Sequence, residues 1–197
     1  EMCIRDRFIR NGEWWVKRNI YIMVSQTGTN CSKILQFFTR APYNHASIAL
    51  DEDLNSLYSF ARQNLYIPLI AGFVKENINE GIYKLHDNTV CQIYRISITN
   101  KQYRKLQREI REFERNGNKY HYNFAGLVAM LFNIPYHRPN HYVCSQFVAY
   151  VLEQSESVKF NKHFTLIRPY DFCDLAESSD VDLVYSGKLA DYNTAFA

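Results

Sequence analysis

Two residues in this chain have the type and setting for nucleophilic chemistry, Cys144 and His45. Cys144 opens the run Y-V-C-S-Q-F-V-A-Y-V-L (Tyr142 to Leu152), in which Phe147, Val148, Val151 and Leu152 recur at helical spacing and place the thiol in the first turn. A thiol attacks only as thiolate, and a helix N-terminus supplies free N–H groups and the positive end of the dipole beside the sulfur. His45 begins N-H-A-S-I-A-L (Asn44 to Leu50), just after Pro42, and an imidazole there could take the thiol proton and later return it to a leaving group. Taken singly, a cysteine at a helix start is more often a small buried hydrophobe, and a strand-start histidine more often structural. Their meaning depends on the elements that position them.

Those elements follow from hydrophobic period. N-I-Y-I-M-V-S (Asn19 to Ser25) is short, apolar and β-branched, closes on T-G-T, and predicts a buried strand. Asn30 then caps a helix through about Phe38, and Pro42 ends it. Asn44 to Leu50 and Leu57 to Arg62, joined by the polar D-E-D-L-N-S, predict a β-hairpin. Because strand side chains alternate faces, Ala46, Ile48 and Leu50 share one side and His45, Ser47 and Ala49 the other. If Tyr58 and Phe60 join Ile48 in the core, Ser59 falls on the His45 side.

The stretch from Leu65 to Asn88 has Pro68, Gly72 and Gly81 without a clear period, and reads as loop with short strands. Thr89 to Ser97 alternates as a further strand. Thr99 or Asn100 caps a long amphipathic helix to about Arg115, with Tyr103, Leu106, Ile110 and Phe113 on one side. Tyr122 to Phe132 predicts a second apolar helix, the Cys144 helix follows, and the tail holds a Pro-initiated helix in P-Y-D-F-C-D-L-A-E and a last strand near Asp182 to Ser186.

In that order the segments resemble a known family. A-P-Y-N-H-A-S-I-A-L and Y-V-C-S-Q-F-V are similar to the His-strand and Cys-helix motifs of the permuted NlpC/P60-like superfamily, which includes the bacterial YiiX-like proteins and the lecithin:retinol acyltransferase group. There the His motif precedes the Cys motif, the reverse of papain, as His45 precedes Cys144 here. Y-N-F-A (Tyr122 to Ala125) resembles the family's Y-D-x-F segment, and R-P-Y-D-F its late T-P-x-D-L. The resemblance implies an α+β domain, a small antiparallel sheet packed against helices in a circularly permuted papain-like arrangement, and a cysteine-dependent hydrolase. Its substrate would carry an amide, isopeptide, ester or thioester bond in a peptide-like, acylated or lipid molecule. The same acyl-enzyme would serve an acyltransferase.

The family also implies a third polar residue on the strand after the His strand, commonly His, Glu or Gln, to orient the imidazole. Position matching gives Ser59, with Tyr58 and Arg62 as local alternatives. A serine cannot stabilise an imidazolium as a carboxylate does, and a non-catalytic binding module of the same fold is the reading it favours. Tyr122 matches a tyrosine that could help the Cys144 backbone N–H bind an oxyanion, with core packing as its equal alternative. Ser145 and Asn123 are weaker candidates for substrate contact.

Composition narrows the rest. The 197 residues suit one domain, and Lys plus Arg number 23 against 20 Asp plus Glu, a net charge of +3 that argues for no polyanionic partner. The basic run from Lys101 to Arg115 is interleaved with Glu109, Glu112 and Glu114, a solvated helix face rather than a nucleic-acid site. Fifteen Tyr and thirteen Phe suit an apolar or peptide-like ligand. Five scattered cysteines, none in C-x-x-C, predict no disulfide framework and a reducing, cytoplasmic setting, with Cys31, Cys91 and Cys173 as buried thiols. His137 and His141 precede Cys144 without the further ligands a zinc site requires, so neither metal nor other cofactor is expected. No apolar run approaches the roughly 18 residues of a transmembrane helix. Residues 1–7, E-M-C-I-R-D-R, can be back-translated as a transposon end used in sequencing libraries and are set aside, leaving 8–197 as the domain.

Overall fold

The computed structural model describes residues 7–10, 13–26, 42–64 and 70–192. One mostly antiparallel sheet runs β8-β7-β5-β4-β3-β2-β6-β9, with β1 (Arg7–Arg10) paired to the start of β2 (Glu13–Gln26). The other strands are β3 (His45–Ala49), β4 (Leu57–Arg62), β5 (Ala71–Glu76), β6 (Val90–Thr99), β7 (His121–Tyr122), β8 (His141–Tyr142) and β9 (Val181–Lys188). Among the described residues four α-helices accompany them: α1 (Gly81–Leu85), α2 (Asn100–Arg115), α3 (Phe124–Leu131) and α4 (Cys144–Gln154). The architecture is α+β, as expected. Among the described residues no helix is long and apolar enough to cross a membrane.

Side-chain parity builds two cores. Ile20, Ile22 and Val24 of β2, Ala46 and Ile48 of β3, Tyr58 and Phe60 of β4 and Tyr94 and Ile96 of β6 point to one face. There they meet Leu106, Ile110 and Phe113 of α2 and Phe147, Val148, Val151 and Leu152 of α4. Phe60 lies at the centre, its ring centroid 5.3 Å from Tyr142, 5.4 Å from Phe147 and 6.0 Å from Phe73 and Phe113. Tyr21, Met23, Ala49, Leu57, Cys91 and Ile93 turn to the opposite face, under Leu54, Tyr83, Leu189 and Tyr192.

The predicted hairpin is present as β3 and β4, in register Ile48↔Tyr58 and Ala49↔Leu57. α2 begins and ends where its period predicts, because Thr99 and Gln102 close a capping box. β2 outruns its apolar core: its backbone pairs with β6 back to Lys17↔Thr99, and pairing requires no apolar side chain. The segment read as loop with short strands contains β5, held by six pairs to β4. Tyr122 belongs to β7 rather than to the following helix, because the Asn123 side chain accepts from the Gly126 N–H at 2.8 Å and starts α3 one residue later. The Pro-initiated tail helix is a 3₁₀ segment, Pro169–Glu177. The T-G-T turn, the helix from Asn30 to Phe38 with Cys31, and Pro68 lie outside the described residues, as do residues 1–6 with Cys3.

Candidate active site

Cys144 is the first residue of α4 and is 5% exposed. The cap position before it is Val143, whose N–H donates to the Gln146 side chain at 3.1 Å. No capping hydroxyl or carboxylate therefore competes with the sulfur for the first-turn N–H groups, which have no partner within the helix. Gln146 also donates to the Thr165 carbonyl at 3.0 Å, fixing this helix end against the tail.

His45 is the first residue of β3, held through the backbone pair Ser25↔His45. Its Nε2 lies 2.8 Å from Glu76 Oε1, and the Cys144 sulfur is close enough to the ring to help raise its pKa. With Nε2 committed to the carboxylate, Nδ1 is the ring nitrogen left to exchange a proton with the thiol. The imidazole and carboxylate side chains are only 14% and 6% exposed.

Glu76 ends β5 and accepts from four groups. Oε1 takes the His45 ring and the Ser59 hydroxyl at 2.7 Å, while Oε2 takes the Ser47 hydroxyl at 2.6 Å and the Tyr83 hydroxyl at 3.1 Å. Parity explains the convergence: Leu57↔Glu76 and Ser59↔Val74 put Glu76 on the side of the sheet that carries Ser59 and Ser47, opposite the aromatic core.

The electrostatics follow from the pairing. Burial by itself would lower the His45 pKa, but the Glu76 charge, helped by the hydrogen bonds to Cys144 and Glu76, overrides it and lifts the imidazole to about 10. Burial likewise opposes the Glu76 carboxylate, yet the His45 charge and the donors His45, Ser47 and Ser59 hold it below its ordinary value. The resting pair is thus a buried imidazolium and carboxylate, with the Cys144 sulfur beside the ring.

The sequence-predicted residues divide accordingly. Cys144 and His45 are brought together. Ser59 is fully buried on the expected face, but its hydroxyl meets the carboxylate and not the imidazole, so it stands one bond removed from the ring. Of its alternatives, Tyr58 stacks on Phe73 at 5.9 Å on the opposite face, and Arg62 pairs with Ala71 at the far end of β4. Tyr122 pairs with Tyr142, two residues before the nucleophile, and its ring lies 4.9 Å from Phe124. Ser145, expected to contact substrate, is buried and donates to the Ile167 carbonyl at 2.6 Å. Asn123 is buried as the α3 cap.

His141 Nδ1 bonds the Pro139 carbonyl at 2.8 Å, and the His137 ring lies 5.4 Å from Phe164. Among the described residues no group of three or more His, Cys, Asp or Glu side chains could hold a metal ion. Cys91 is buried and Cys173 half-buried, with burial pushing both thiols up, Cys91 to about 12.

Glu76 is the residue sequence reasoning missed. The signal available was a carboxylate at the end of A-G-F-V-K-E, a run that alternates only weakly. No protein-family model matches the chain, and none of the curated proteins or solved structures compared with it gives a match.

Proposed function

We propose that this protein is a cysteine hydrolase of permuted papain-like type, acting through Cys144, His45 and Glu76. The observation that carries the reading is the buried chain from thiol to imidazole to carboxylate. Three groups in that order are what acyl transfer through sulfur requires, a nucleophile, a proton carrier and a charge that orients and stabilises the carrier. Glu76 supplies the carboxylate that Ser59 could not, which removes the main support for a non-catalytic module.

In this reading the proton exchanged with Cys144 rests on the His45 ring, and the Cys144 sulfur attacks the carbonyl carbon of an amide, ester or thioester. The oxyanion forms at the N-terminus of α4, where the Cys144 N–H is available to donate. The imidazolium returns its proton to the leaving group as the carbon–heteroatom bond breaks, leaving an acyl group on sulfur. Water, deprotonated by His45, then attacks the thioester, releases the acid and restores the thiol. Glu76 stays ionised throughout, fixing the ring and stabilising its positive form.

Intact-mass analysis after incubation with activated acyl esters tests this directly. The expected result is an acyl adduct on Cys144 that decays in water and is absent from Cys144→Ser. Decay accelerated by an added amine, with the amide as product, would assign the transferase instead. Failure of any ester to label Cys144 would refute both enzyme readings.

A further inference from the structure

α3 is apolar where a soluble helix should be polar. It is the crossover between β7 and β8, which are parallel, and such a helix ordinarily buries one stripe against the sheet and shows a polar one to water. Only Gly126 and Met130 are buried in it. Phe124 is 44% exposed and Val128 55%, and the loop beyond adds Phe132 at 71%, Ile134 at 56% and Tyr136 at 40%. From Asn123 to Tyr136 the chain carries no charged side chain at all. Five large, exposed apolar side chains fall within thirteen residues, and exposed apolar surface gathered in one place marks an interaction surface.

The charges around the patch indicate its partner. Between Glu114 and Glu153 there is no acidic residue, while Arg115, Lys119 and Arg138 are exposed. The pairing His121↔His141 brings Lys119 and Arg138, just upstream on each strand, to the same end of the two strands. α3 leaves the other end, and the loop after it, with Phe132, Ile134 and Tyr136, runs back to the end that carries the cations. Aromatic and aliphatic side chains beside Lys and Arg, in a stretch of chain that carries no acid, are the composition that enters the headgroup region of an anionic bilayer.

We propose that α3 and the loop through Tyr136 form a docking surface for an anionic lipid bilayer, with Phe132 inserted deepest and Lys119 and Arg138 at the phosphate level. The surface adjoins the nucleophile: Asn123, the α3 cap, reaches Gln146 of α4, and β8 runs directly into Cys144. Docking would hold that helix end at the membrane, although the binding itself needs no catalysis by Cys144.

Co-sedimentation with vesicles of equimolar phosphatidylcholine and phosphatidylserine, against phosphatidylcholine alone, is the test. The full chain should pellet with the mixed vesicles, and weakly with the neutral ones or at high salt. Phe132→Glu should weaken binding by about tenfold or more, and Arg138→Glu by a smaller factor. Both positions are exposed, so melting curves matching the parent will show that the fold is kept, and Cys144→Ser should bind as the parent does. Absence of vesicle binding, equal binding by Phe132→Glu, or a dimer that this substitution dissolves without any vesicle binding would each overturn the proposal.

Discussion

The two faces of the central sheet are made by alternate residues of the same strands, and they are stabilised differently. On one, Ile48, Tyr58 and Phe60 pack under α2 and α4 in a cluster of apolar side chains. On the other, a step along each strand, Ser47, Ser59 and Glu76 gather around His45. Packing on the first face is non-directional and tolerates repacking. The second depends on every donor and on two charges neutralising each other, since a buried ion left alone costs several kcal/mol. A fold can carry such a pair where the apolar face has already fixed the strands that hold it.

Substitutions can break or sharpen this contrast. Phe60→Ala should cost about 3–5 kcal/mol, nearly constant with pH, because it opens a cavity among Phe73, Phe113, Tyr142 and Phe147. Denaturant titration across pH reads it. Glu76→Ala should cost about 3–5 kcal/mol at most, but with a pH profile, since it strands an imidazolium and three hydroxyls. The His45 contribution is full below its ordinary 6.5 and fades as pH rises from there to about 10; that of Glu76 is full above its ordinary 4.5 and fades as pH falls below it. The cost of Glu76→Ala should therefore peak between 4.5 and 6.5 and shrink on either side. A flat profile would remove the ion pair from the account.

Smaller effects separate the hydroxyls. Ser145→Ala leaves the Ile167 carbonyl without its donor inside the protein and should cost about 1–3 kcal/mol in thermal or chemical denaturation. Ser59→Ala removes one of four donors to Glu76 and should cost about 1 kcal/mol, with acylation of Cys144 slowed less than by Glu76→Gln. Equal slowing by the two would return the orienting role to Ser59.

What the sequence made legible was local. The β3–β4 hairpin, the capped α2 and Cys144 in a first turn follow from alternation, a capping box and helical period, all readable within a dozen residues. Parity even placed Ser59 on the His45 side. Glu76 was illegible because its position rests on non-local pairing: β5 is only weakly periodic, and its ending opposite Leu57 is decided by the register with β4. The bond from Ser145 was illegible for a related reason, since the carbonyl that takes its hydroxyl comes from Ile167, in a tail whose path no local pattern reveals.

The central claim is that Glu76, through His45, makes Cys144 reactive. Iodoacetamide alkylation of the Cys144 peptide, followed by mass spectrometry from acid to alkaline pH in the parent and in Glu76→Gln, tests it most directly. An imidazolium held beside the sulfur favours the thiolate, so the parent should react faster than free cysteine near neutrality, and Glu76→Gln about tenfold or more slowly than the parent. Reaction of the parent no faster than free cysteine, or equal rates in the two proteins, would contradict the account.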